Sequence, residues 1–101
     1  MKAFFIEPHP SRRNWYVINN NFNDIPMPRI HTSFQYLMAR LVGMDYEQYI
    51  QFCRDELGAM VIRTKGARYA SVYFPNTPNV RKFISILNDN FKRSYDGVYE
   101  K

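Results

Sequence analysis

Three cations surround one glycine in the stretch VIRTKGARYASVYF, Val61–Phe74. Arg63, Lys65 and Arg68 carry charge that attracts a phosphate, and Gly66 permits a tight turn between them. Tyr69 follows directly and offers a ring for stacking. Arg81, Lys82 and Lys92 share the segment that follows, and Arg12 and Arg13 stand together near the start of the chain. These nine residues are the candidate anion-binding set. Contacts of this kind position a phosphate backbone and read no bases.

Bond-making chemistry has weaker candidates. His9 and His31 lie twenty-two residues apart, a spacing that suggests no metal site. Cys53 is the single cysteine and falls on the apolar face of an expected helix, where a thiol packs as a small hydrophobe. The four glycines, Gly43, Gly58, Gly66 and Gly97, are isolated, so no glycine-rich phosphate cradle is present. No catalytic residue, metal or cofactor is expected.

The chain that must position these residues has 101 of them, enough for one domain spanning 1–101, with a frayed tail over about 94–101. It is 46% hydrophobic and 17% aromatic, which argues for a packed core and against disorder. A lone cysteine excludes a disulfide framework and points to a reducing compartment. The first residues, MKAFFIEPHP, hold too short an apolar run for a signal peptide or a membrane span. A cytoplasmic protein without membrane attachment is the expectation.

Periodicity gives the elements. KAFFIE, residues 2–7, and Trp15–Ile18 read as strands separated by a proline-containing loop. NNNFNDIPMPR reads as an irregular connector. Thr32 with Gln35 makes a capping box for a helix whose stripe is Phe34, Leu37, Met38 and Leu41, ended by Gly43. Asp45 with Gln48 caps a second helix with Tyr46, Tyr49, Ile50, Cys53 and Leu57 on its apolar face, ended by Gly58. Strands 60–64 and 68–74 follow, turning at 65–67. In the second strand Ala70, Val72 and Phe74 alternate with Tyr69, Ser71 and Tyr73. Thr77 and Pro78 start a last helix with Val80, Phe83, Ile84, Leu87 and Phe91 inward and Arg81, Ser85, Asn88 and Lys92 outward. The fold class is α+β in the order β-β-α-α-β-β-α, with a mostly antiparallel four-stranded sheet and the helices on one face.

The segment QYLMARLVGMDYEQYIQF, Gln35 to Phe52, resembles the bacterial helix-turn-helix motif. Ala39 stands where that motif takes a small residue, Gly43 stands at its turn, and Met38, Val42, Met44, Tyr49 and Phe52 fall on its apolar positions. The resemblance covers about a fifth of the chain. It implies that the second helix enters the major groove and presents Tyr46, Glu47, Gln51 and Arg54. The hairpin after it resembles the wing of winged-helix proteins, which implies a backbone-touching tip at Arg63, Lys65 and Arg68. The same residues also suit a plain helical hairpin with a glycine turn. Tyr49 is bulkier than the usual aliphatic residue, and Leu37 and Leu41 are apolar where the motif is solvated.

Charge separates along the chain. Residues 31–58 carry net −2, residues 59–101 carry net +5 and residues 1–30 carry net +2. A groove-reading helix needs cations, and here the helix pair is acidic. Two readings stand. The first is a small basic protein, of the kind encoded by phages or mobile elements, that binds nucleic acid (DNA before RNA) or a nucleoprotein through the hairpin and last helix. The second is a protein-binding module, or an inhibitor of a nucleic-acid-processing enzyme, using tyrosines and the acidic helix pair. A homodimer through an exposed strand edge fits either.

Overall fold

The computed structural model describes residues 2–22 and 34–94. Seven elements follow in the expected order: β1 Phe4–Pro8, β2 Tyr16–Asn20, α1 Phe34–Leu41, α2 Tyr46–Leu57, β3 Met60–Ile62, β4 Ser71–Tyr73 and α3 Pro78–Ser94. The expected cap at Thr32 and the tail 95–101 lie outside the described residues.

The expected single sheet is two antiparallel ladders, β1–β2 and β3–β4. One isolated bridge joins them: Tyr16 N–H donates to the Phe74 carbonyl and Phe74 N–H to the Tyr16 carbonyl, both at 2.8 Å. Beyond it β2 and β4 diverge, leaving a cavity of about 140 Å³ over Met38 and Tyr49. Tyr16 also lies opposite Pro8. Because both its backbone groups go to Phe74, antiparallel alternation turns the proline's missing donor to the outer edge of β1, where nothing is lost. A proline read as a strand breaker therefore closes the strand. At the other end β2 runs on through Asn19 and Asn20, which sequence composition assigns to a loop. Asn19 earns its place by donating to the Glu7 carboxylate at 2.7 Å.

The second hairpin is shorter than alternation suggests. Its ladder holds Met60, Val61 and Ile62 opposite Tyr73, Val72 and Ser71, and residues 63–70 form a loop. Arg68 and Tyr69, expected in the strand, belong to that loop. The tight turn spans Thr64–Ala67, closed by Ala67 N–H to the Thr64 carbonyl at 3.0 Å, with Gly66 at φ +85°. A positive φ at the third residue alone is the type II pattern, which selects glycine there.

The helices terminate as their sequences dictate. Gly43, at φ +72°, lets Met44 N–H reach the Ala39 carbonyl and Gly43 N–H the Arg40 carbonyl, a Schellman closure. Asp45 and Gln48 form the reciprocal capping box of α2. Thr77 Oγ1 accepts from Val80 N–H at the start of α3. All five residues expected on the inner face of α2 are buried, as are all five expected on α3. Phe4 and Phe91, both wholly buried, meet edge to face with centroids 5.6 Å apart, and Phe22 stacks on Phe91.

Two asparagines on α3 hold its neighbours. Asn88 Oδ1 accepts from Phe4 N–H at 2.8 Å and its Nδ2 donates to the Phe4 carbonyl at 3.0 Å, so one side chain acts as a strand partner for the outer edge of β1. Asn90 Nδ2 donates to the Leu41 carbonyl at the end of α1. Asn88, expected on the solvated face with Arg81, Ser85 and Lys92, is thus half-buried and structural. Asn88→Ala strands both Phe4 groups and should cost ~1–3 kcal/mol. The urea unfolding midpoint checks this, and a midpoint equal to the parent's refutes it.

Candidate nucleic-acid interface

The basic loop 63–70 is anchored at both stems. At its far end Ala70 points its backbone away from β3, on the edge of β4 that β2 has left. There Ala70 N–H donates to the Tyr46 hydroxyl at 2.9 Å, and the Ala70 carbonyl accepts from Gln35 Nε2 at 3.0 Å. Tyr46 Oη in turn donates to Gln35 Oε1 at 2.7 Å. A tyrosine of α2 and a glutamine of α1 thus replace the missing strand. Burial of the Tyr46 hydroxyl raises its pKa, with the Ala70 bond working against the shift. Near its first residue the loop is fixed by Arg63, whose Nη2 meets Glu47 Oε1 at 2.6 Å. Both side chains of that pair are well exposed, so it contributes less than ~1 kcal/mol.

This arrangement corrects the groove-reading assignment. Tyr46, placed by the helix-turn-helix resemblance on the reading face, is buried and bonded to the loop. Glu47 is engaged with Arg63, and Gln51 donates to Asp55 at 2.6 Å. One exposed side of α2 is a shallow acidic groove of Glu47, Gln48, Gln51, Asp55 and Glu56 around half-buried Phe52, with Arg54 exposed outside it. It offers a phosphate backbone repulsion, not attraction.

What the loop carries is different. Residues 63–69 are all exposed and include Arg63, Lys65 and Arg68 without an acid. Beside them stand three tyrosines. Tyr36 stacks on Tyr46 with centroids 4.8 Å apart, and Tyr69 meets Tyr36 at 5.5 Å and Tyr46 at 6.0 Å, edge to face. The sequence itself sets Tyr69 beside the cations; Tyr36 joins them only through the fold, although its helical spacing from Arg40 puts both on one face of α1.

The remaining candidates divide. Arg12 lies over the Tyr73 ring, its guanidinium carbon 4.6 Å from the centroid, while His9 meets the same ring edge to face at 5.1 Å. Tyr73 pairs with Met60, at the end of the β3–β4 ladder away from the 63–70 loop. Arg81 Nη1 donates to Asn76 Oδ1 at 2.7 Å, just beyond that same end. Arg12 and Arg81 therefore gather near one end of the hairpin, and Arg63, Lys65, Arg68 and Tyr69 at the other. Arg13 and Lys82 are exposed next to Arg12 and Arg81. Lys92 is exposed near the C-terminal end of α3.

Cys53 is wholly buried, and burial pushes its thiol up to about 12, an adjacent Tyr49 hydroxyl opposing the shift. It remains a protonated core thiol at neutral pH. His31 lies outside the described residues. Among the described residues no three of His, Cys, Asp and Glu come together to hold a metal, and no helix is long and apolar enough to cross a membrane.

The thiol has a consequence for stability. In the unfolded chain it ionises near 9.0, in the fold only near 12. Between these values the unfolded state binds fewer protons, so stability falls as pH rises, by ~1.4 kcal/mol per unit for one group. Cys53→Ala should flatten the decline across this window, leaving the part due to Tyr49 and Tyr46, whose pKa values burial also raises. Unfolding midpoints at several alkaline pH values read the slope; an unchanged slope contradicts the assignment.

Compared with known proteins, the chain matches no family model, no curated protein and no solved structure.

Proposed function

We propose that this chain is a non-enzymatic binding protein that engages nucleic acid, DNA before RNA, through the phosphate backbone. The reading is carried by the loop 63–70: Arg63, Lys65 and Arg68 stand exposed on a segment without acids, and its far end is tethered at Ala70 to α1 and α2. Tethering lowers the entropy lost when the loop meets a ligand. A phosphate would compete with Glu47 for Arg63, a weak competitor because the pair is exposed. Arg12, Arg13, Arg81 and Lys82 stand near the opposite end of the hairpin and Lys92 near the end of α3, so for a longer strand they would serve as separate phosphate contacts. The single free cysteine fits action in a reducing compartment such as the cytoplasm.

Charge-led binding must weaken with salt, because each neutralised phosphate releases counterions. Fluorescence anisotropy with a labelled mixed-sequence DNA should show a loss of ~10-fold or more between ~50 and ~200 mM salt. The Arg63→Ala, Lys65→Ala, Arg68→Ala triple should weaken binding and flatten the salt slope. Binding that ignores salt, or a triple variant that binds as well as the parent, rejects this function.

One observation favours a second reading, a protein-binding module or inhibitor of a nucleic-acid enzyme. The acidic groove on α2 has Phe52 at its floor, an apolar anchor rimmed by carboxylates. On this reading a stoichiometric protein complex survives moderate salt and is lost on Glu47→Lys with Asp55→Lys. A complex indifferent to that double reversal excludes the groove as the contact.

A further inference from the structure

We infer that the tyrosine cluster beside the basic loop is a stacking site for an unpaired base, so that the ligand of this surface is a single strand. The inference rests on the nucleic-acid reading above and deepens it. Base stacking needs an exposed aromatic ring held rigidly, with cations close by for the phosphates on either side. All three conditions meet here. Among the described residues Tyr36 and Tyr69, 41% and 37% exposed, are two of the few exposed large hydrophobic side chains. Their order is enforced from below: Tyr46 is buried, fixed through its hydroxyl by Gln35 and Ala70, and Tyr36 lies flat on it.

The three centroid separations are 4.8, 5.5 and 6.0 Å, so the rings form a compact triangle. Tyr69 therefore stands beside the Tyr36–Tyr46 stack, not on its end, and the cluster presents rings in two roughly perpendicular planes. A duplex keeps its bases stacked on one another and shows such a surface only its backbone. A single strand can swing a base onto a ring while its flanking phosphates meet Lys65 and Arg68. Arg40 stands one helical turn from Tyr36 on α1, and Arg63, paired with Glu47, lies close enough to act on the Tyr46 hydroxyl. Stacking tolerates any base, which agrees with the lack of base-edge readers among these residues.

Two oligonucleotides of one length separate the two parts of this reading: a labelled oligothymidylate and its abasic counterpart, which has the same phosphates and no rings. Anisotropy at low salt is the measurement, with a duplex of equal length alongside. The expected result is oligothymidylate bound about tenfold more tightly than the abasic strand. Tyr69→Leu should shrink that ratio towards one. Tyr69 lies outside both ladders and is partly exposed, and a thermal melt verifies that the variant folds. Equal, salt-sensitive binding of oligothymidylate and abasic strand overturns the stacking site and leaves the phosphate-binding function standing. A ratio that survives Tyr69→Leu and Tyr36→Leu alike also overturns it. No binding of any of the three probes overturns the function itself, and the stacking site with it.

Discussion

Unpaired backbone at strand edges is the constraint on which this structure depends. Its ladders are short and meet at one bridge, so much of the backbone along their edges lacks a neighbouring strand. Leaving such groups buried without partners costs more than a typical hydrogen bond contributes. Helix side chains supply two of the missing partners. Asn88 of α3 closes the outer edge of β1 at Phe4, and Tyr46 with Gln35 closes the edge of β4 at Ala70. Each is a side chain able to donate and accept at once, as the geometry requires. Apolar burial gathers the helices over the ladders; these polar contacts fix where each strand sits against them.

The same contacts shape the surface. Because the Tyr46 hydroxyl is committed to Ala70, the second helix gives up a residue that a groove-reading helix would present. The basic loop is drawn against the N-terminal ends of α1 and α2, where Tyr36 and Tyr69 pack around Tyr46. Charge that is segregated along the sequence is thereby brought into contact at Arg63 and Glu47. An acidic groove and a basic, aromatic loop end up as neighbours on one small molecule.

Most of the architecture was legible because it is local. The capping pair Asp45 and Gln48, the glycines after α1 and α2, and the 3.6-residue stripes of α2 and α3 depend on residues a few positions apart. The errors came from distant partners. Alternation in ARYASVYF extended β4 back to Arg68, but Tyr69 packs with tyrosines from two helices. Helical spacing puts polar Asn88 on the solvated face, because its backbone partner Phe4 is 84 positions away. Composition assigns Asn19 to a loop, whereas its amide is held by Glu7 on the neighbouring strand. For the candidate site, the cations and Tyr69 were visible as a cluster in sequence. Tyr36 and Gln35 were hidden, because only the fold brings residues of α1 to a loop thirty positions later.

The Asn88 clamp on Phe4 also bears on how the chain reaches this state. Its two ends are 84 positions apart, so one of the contacts that seals β1 is among the most non-local in the molecule. Closing so long a loop is entropically costly before any reward arrives, and such contacts slow folding. A ribosome delivers β1 and β2 early and α3 late. In the interval any β1–β2 pairing that forms has its outer edge open, guarded at one end by Pro8. The growing chain is thus exposed to strand-to-strand misassociation until the last helix has been made and has folded back over the first strand.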